Sequence, residues 1–416
     1  MRRFLILVLA AGAVAFALPA GAKPGVLDRL FGGNGIVTAF PDGAIATAVG
    51  IDGERRITAV GYTVDARADV VVARFLPDGT PDPAFGSNGR ARFDLGGIDD
   101  AFDVAVTPVG GLAIVGRRTA GQDRMFVLRI RPNGMRDPGF GHRGVKLVDF
   151  GKPRQSAGAV AFTPQGRIVI GGYTSNGVLV RSAFARLSAS GALDRGFGGD
   201  GRVSFELGSG SEQINDLLVL PGGGVVAAGE AENAQDPRFT LVKLTGGGRL
   251  DTSFGVGRDG VSVLDVEKGP DVANALTIAA NGDYLLAGSA GVDGDWAVVA
   301  TDPTGIPDPA YGNNGRVVLR FARAFEEATD IVASGARALV VGRIHGTGDD
   351  VGVVRLKAGG GLDTTFSGDG IVRIDVSGTT DAAAAAALQA NGKLVVAGQT
   401  WRGGVPRFVL ARILDN

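Results

Sequence analysis

The sequence predicts an all-β fold, a seven-bladed β-propeller of four-stranded antiparallel blades, and three observations predict it. The first is a repeat. The stretch Leu27-Asp28-Arg29-Leu30-Phe31-Gly32-Gly33-Asn34-Gly35 returns at Pro81–Gly89, Arg136–Gly144, Leu193–Gly201, Leu250–Gly260, Pro307–Gly315 and Leu362–Gly370, with its aspartates 54 to 57 residues apart. So regular a period is the signature of stacked structural units. The second is period: within each unit apolar residues alternate every two positions, as strands require and helices do not. The third is the count of short apolar runs, four per unit, separated by Gly-centred turns. One such sheet cannot cover both of its apolar faces, but seven packed around an axis cover each other.

In chain order, residues 1–22 stand outside the repeats. Arg2 and Arg3 precede an apolar run, Phe4–Leu18, and Ala20-Gly21-Ala22 fits a small-residue cleavage site, so the segment is expected to be a signal peptide and the chain secreted or periplasmic. The run is too short and alanine-rich for a spanning helix, and no later stretch is long enough for one. A single seven-repeat domain, 23–416, follows, with repeats starting near 27, 81, 136, 193, 250, 307 and 362. Each unit begins with an Asp, an aromatic and a Gly turn, then a short strand such as Ile36–Phe40 or Val145–Phe150. A variable loop leads to a second strand and a tight turn at Gly53, Gly110, Gly166, Gly223, Gly282, Gly335 or Gly392, where positive φ is needed. The third strand is expected to end at Gly61, Gly116, Gly172, Gly229, Gly288, Gly342 or Gly398, and a fourth, such as Phe126–Ile130 or Phe408–Ile413, closes the unit. Ala382–Leu388 is alanine-rich and helix-favouring, yet it fills the slot that every other unit fills with strand, and strand is expected there.

This order leaves one strand over at each end of the chain. Ile36–Phe40 should therefore pair with Phe408–Ile413 and close the ring, bringing Arg412 to Asp28.

The recurring LDxxFGxxG, with Leu193–Gly201 and Leu362–Gly370 its fullest forms, and the closing Val409-Leu410-Ala411-Arg412 resemble the delta-60 repeat family of bacterial exported proteins. The strand order also resembles WD-repeat propellers, without the Trp-Asp dipeptide. The resemblance covers the whole chain after residue 22 and implies no particular activity.

Charge and composition exclude several function classes. Without Arg2 and Arg3, 40 basic residues face 43 acidic ones, the wrong balance for a nucleic-acid binder. The chain has no cysteine, hence no disulfide framework or thiolate chemistry. The two histidines, His142 and His345, lie in different units and are read as surface-loop residues. Gly255–Gly260 spells G-x-G-x-x-G, but that fingerprint must open a helix onto a pyrophosphate, and here it opens a strand.

Two charge patterns remain. A cation recurs at the end of the fourth strand, eight residues before the motif aspartate, and implies structural pairs: Arg74–Asp82, Arg129–Asp137, Arg186–Asp194, Lys243–Asp251, Arg355–Asp363 and Arg412–Asp28. Unit five has Ala300 or Thr301 there. The variable loops carry about two acids per base, among them Asp99, Asp100, Asp271, Glu326, Glu327 and Asp381. In a WD-like order these loops share one face, which is expected to bind calcium or a basic partner.

The functional expectation is an exported, monomeric binding or scaffold module for a protein, glycan or surface polymer, without catalytic machinery or an obligate cofactor. The alternative is a carboxylate-type hydrolase or lyase acting on a polysaccharide, since propellers host two-carboxylate chemistry.

Overall fold

The strands form seven four-stranded antiparallel sheets in a computed structural model that describes residues 23–415 except 41, 42, 209, 234, 235, 322–325 and 347. The proposed signal segment, 1–22, lies outside the described residues. Blades 1 to 6 span 44–93, 98–148, 154–205, 212–264, 271–319 and 327–374, each running from inner to outer strand in chain order. Blade 7 combines Asp381–Leu388, Lys393–Arg402 and Val405–Leu414 with the N-terminal strand Ile36–Ala39. The alanine-rich stretch is an inner strand, Asp381–Leu388. No helix among the described residues is long and apolar enough to cross a membrane.

Ring closure follows the leftover-strand argument. Ile36 pairs with Ala411, Val37 with Leu410, Thr38 with Val409 and Ala39 with Phe408. The segment before it adds Asp28 N–H to Arg412 O at 2.8 Å and Leu414 N–H to Val26 O at 3.0 Å. The seam is also an ionic one: Asp28 Oδ2 lies 2.8 Å from Arg412 Nη2 and 2.7 Å from Lys393 Nζ.

Seven apolar clusters lie between neighbouring blades, so each sheet has both faces covered. Val60 and Val72 of blade 1, for example, pack with Ile114, Phe126 and Leu128 of blade 2. The motif aromatics Phe31, Phe85, Phe140, Phe197, Phe254, Tyr311 and Phe366 are all buried, each contributing roughly 1.5–3 kcal/mol. The Asp ahead of each aromatic accepts the N–H two residues on, as in Ala84 N–H to Asp82 Oδ1 at 2.9 Å and Thr365 N–H to Asp363 Oδ1 at 3.2 Å. Its other oxygen takes the strand-end cation: Arg74 at 2.8 Å, Arg186 at 2.7 Å, Lys243 at 3.4 Å and Arg355 at 2.9 Å. These cations lie 4.4–5.5 Å from the centre of the motif ring, which adds a cation–π contact.

Blade 2 departs from the expected pairing. Arg129 makes no ion pair with Asp137. Its Nη1 donates to Leu112 O at 2.8 Å and its guanidinium lies 5.0 Å from the Phe162 ring of blade 3. Asp137 is held instead by Arg131 Nε at 3.3 Å. A second arginine two residues along, on the exposed side, takes the carboxylate, and Arg129 finds a carbonyl and a ring.

The glycines expected to end a strand stand inside one: Gly61 within Ile57–Thr63, Gly116 within Leu112–Ala120. Each faces a β-bulge in the inner strand, between Ala46 and Ala48 in blade 1 and Ala101 and Asp103 in blade 2. A Cβ on any of the seven would lie 1.8–2.0 Å from an inner-strand carbonyl oxygen. The bulge pushes that carbonyl into the neighbour, and only glycine leaves room for it.

Candidate functional site

The bulge organises the axis as well. The bulged residues are Thr47, Phe102, Gly158, Asn215, Asn274, Thr329 and Ala384, one per blade. A bulge interrupts the ladder and leaves backbone groups in need of partners. Where the bulged residue of the preceding blade is Thr or Asn, its side chain supplies one. Thr47 Oγ1 donates to Ala101 O at 2.9 Å, Asn215 Nδ2 to Ala273 O at 2.9 Å and Asn274 Nδ2 to Ala328 O at 2.9 Å.

One residue further in, the seven blades carry Ala48, Asp103, Ala159, Asp216, Ala275, Asp330 and Ala385, alanine and aspartate by turns. Each aspartate reaches into the next blade. Val160 N–H donates to Asp103 Oδ2, Leu276 N–H to Asp216 Oδ2 and Ala386 N–H to Asp330 Oδ2, all at 2.7 Å. They lie deep along the axis yet keep some contact with channel solvent. Burial pushes the Asp103 carboxyl up to about 6 and Asp330 up to about 7. Asp216 rises well above the usual carboxylate range, first through burial and then through the charges of Asp103 and Asp330. Three carboxylates on alternate blades thus sense one another.

Outside this ring the channel opens into a funnel of about 710 Å³, lined from all seven blades. Larger hollows, of about 950 and 800 Å³, draw on the outer edges of neighbouring blades; of these three, among the described residues, the funnel alone gathers the whole ring. Of the residues that follow the strict glycines, Tyr62, Arg117, Tyr173, Arg343 and Gln399 line its wall, while blades 4 and 5 have Glu230 and Ser289 at that position. The scaffold fixes where these side chains start but not what they are. Tyr62 meets Phe102 edge to face at 6.4 Å, and Tyr173 lines the same funnel from blade 3. Gln213, Asn215 and Asn274 line the funnel from blades 4 and 5, and Gln213 Nε2 donates to Asn215 Oδ1 at 2.6 Å. Arg117 is pinned by Asp100 at 2.5 Å.

The structure disperses the expected acidic face. Asp99, Asp271, Glu326 and Asp381 are buried at the start of inner strands and accept N–H groups of the loop that leaves the previous blade. The donors are Leu95 at 2.6 Å, Val266 at 2.9 Å, Phe321 at 3.2 Å and Val376 at 2.6 Å. Gln155 does the same for Phe150, and Glu212 for Leu207. A glutamine in that column marks it as a loop clamp, where the acceptor matters more than the charge. Asp100 is buried against Arg117, and Glu327 accepts from Asn274 at 3.0 Å at the funnel wall. Glu327 alone among the six lines the funnel. His142 is exposed in its motif turn; His345 ends a strand, 2.7 Å from Asp349, and is not in a loop.

Among solved structures, a catalytically inactive virginiamycin B lyase from Staphylococcus aureus with quinupristin matches with a TM-score of 0.55 and 10% identity, over 90% of this chain and 98% of that one. Sqt1 from Chaetomium thermophilum matches at 0.45 and 12%, over 90% and 96%. The β-propeller domain of the trilobed protease from Pyrococcus furiosus, described as having an open velcro topology, matches at 0.44 and 8%, over 88% and 98%. At such identities the likeness concerns the fold alone. No curated protein sequence matches the chain. Residues 55–85, 110–140, 163–197 and 389–416 match the model of a β-propeller domain of unknown function, DUF5122, so parts of this chain are similar to that family.

Proposed function

We propose that this chain is an exported binding module of the delta-60 repeat type, acting in the periplasm or outside the cell as a monomer, and that its axial funnel takes a short stretch of glycan. The observation that carries this is the asymmetry of the funnel. Tyr62, Phe102 and Tyr173 come from adjacent blades 1, 2 and 3, and Gln213, Asn215 and Asn274 from blades 4 and 5. Aromatic faces accept the apolar C–H face of a sugar ring, while amides both donate to and accept from its hydroxyls. A pocket with a few convergent polar groups on a rigid wall is the usual form of a small-ligand site. A near-neutral chain, whose funnel arginine Arg117 is already paired with Asp100, does not suit nucleic acid.

Calorimetry against a panel of neutral and acidic oligosaccharides tests the proposal. At least one should bind, and Tyr62→Ala with Tyr173→Ala should weaken it tenfold or more without lowering Tm. Binding unchanged by the double variant would place the ligand elsewhere. A second function, a carboxylate hydrolase or lyase, draws support from Asp330, whose carboxyl near 7 suits proton transfer. It requires chain cleavage of the bound polysaccharide that disappears in Asp330→Ala; a ligand bound for hours without cleavage speaks against it.

A further inference from the structure

Each blade junction brings together a residue at or near the start of the third strand, the residue after the outer strand and, except at the seam, the loop clamp that opens the next blade. In five junctions an arginine belongs to the set. Arg124 pairs with Asp149 at 3.0 Å beside Gln155, Arg181 with Glu206 at 3.0 Å beside Glu212, and Arg238 with Asp265 at 3.0 Å beside Asp271. Arg320 pairs with Asp295 at 2.8 Å beside Glu326. Arg407 stands in the set at the seam between blades 7 and 1. At the junction of blades 1 and 2 all three residues are acidic: Asp69, Asp94 and Asp99. Each brings one carboxylate oxygen to within 4.8 Å of the others.

The decisive detail is Asp99. Its side chain is fully buried; Oδ2 accepts Leu95 N–H, and Oδ1 has no hydrogen-bond partner at all. A buried acceptor left unmade costs about 1–3 kcal/mol, more when charged. The nearby cations are engaged elsewhere. Arg92 holds Asp69 and Asp65 at 2.5 and 2.9 Å and makes no ion pair with Asp94 or Asp99. Arg118 donates to the carbonyls of Leu95 and Gly96.

We infer that Asp69, Asp94 and Asp99 form a site for a divalent cation, calcium being the hard, oxygen-seeking ion that fits them, in the place that arginine holds at other junctions. Carboxylates supplement waters and carbonyls in such sites, and extracellular modules hold calcium with Kd of about 10⁻⁴–10⁻³ M. The second all-acidic junction, Asp350, Asp375 and Asp381, has its clamp fully bonded by Val376 N–H, Ser377 N–H and Ser377 Oγ. It enters only as a background to be silenced.

The test uses the full chain carrying Asp375→Asn, stripped with chelator and titrated with calcium chloride by calorimetry, with Tm recorded at each step. About 5 mM calcium should raise Tm by a few degrees. Adding Asp94→Asn, an exposed change, should weaken binding at least tenfold and remove the rise. Asp94→Arg should abolish the calcium response and raise Tm in its absence, since it restores the guanidinium. No heat and no shift with calcium, or a response untouched by Asp94→Asn, would overturn the inference.

Discussion

Arg355 and Arg129 occupy the same column and should behave differently on truncation. Arg355 is buried and holds both Asp363 and Asp415, each at 2.9 Å. Arg355→Ala should cost about 3–5 kcal/mol, because it strands two buried carboxylates. Arg129→Ala removes one carbonyl contact and one ring contact, and should cost only about 1 kcal/mol. Urea melts of the two variants decide it; equal losses would mean that the pairing is not what holds this column. The repeated cation eight residues before the motif aspartate made the column legible in the sequence. Arg131 was the hidden competitor, since spacing alone cannot say whether the arginine at the strand end or the one just past it takes the carboxylate. The clamps Asp99, Asp271, Glu326 and Asp381 misled for a related reason. They flank variable loops, where charge suggests a solvated rim, while Gln155 and Glu212 in the same column already pointed to backbone capping.

The N-terminal strand is the element on which ring closure depends. Phe408–Ala411 lacks an outer neighbour unless Ile36–Ala39 supplies one. Deleting residues 23–40 also removes Asp28, leaving Arg412 and Lys393 without their carboxylate. The truncated chain should aggregate or melt far below the parent, because it exposes an unpaired edge and one face of the 408–411 strand. Size-exclusion chromatography with a thermal melt checks this, and a monomer of parental Tm would refute the latch. Strand number, order and closure could all be read from the repeat, because each is a matter of counting. The bulge could not: it adds one residue to a strand without a change of pattern. The seven strict glycines were its trace, taken as strand ends when each makes room for a bulged carbonyl.

At the scale of the whole molecule, the axial ring sets the response to pH. Asp103 and Asp330 titrate at about 6 and about 7 when folded, above the unfolded value of about 3.9. Such groups hold their protons more tightly in the folded state, so their contribution is complete below about pH 4 and is lost as pH rises toward 7. Asp28, Asp194 and Asp363 are shifted down; their contribution is present above about pH 3.9 and lost only below it. Tm should therefore peak near pH 4–5 and fall by pH 8. Replacing Asp103, Asp216 and Asp330 together by alanine, the residue of the other four blades, should shrink that fall. A Tm that climbs steadily to pH 8 would contradict it. The alternation of Ala48, Asp103, Ala159, Asp216, Ala275, Asp330 and Ala385 was present in the sequence, but only the bulge register turns it toward one axis. The same holds for Tyr62, Phe102 and Tyr173, which lie in separate repeats and share one funnel only when neighbouring blades stack. Their meeting is the basis of the functional proposal, so the most direct measurement is a crystal structure of the protein with its best-binding oligosaccharide. A sugar ring is expected on the axis, against Tyr62 and Tyr173 and within hydrogen-bond reach of Asn274. A sugar bound at an outer blade edge, with the funnel holding only water, would contradict it.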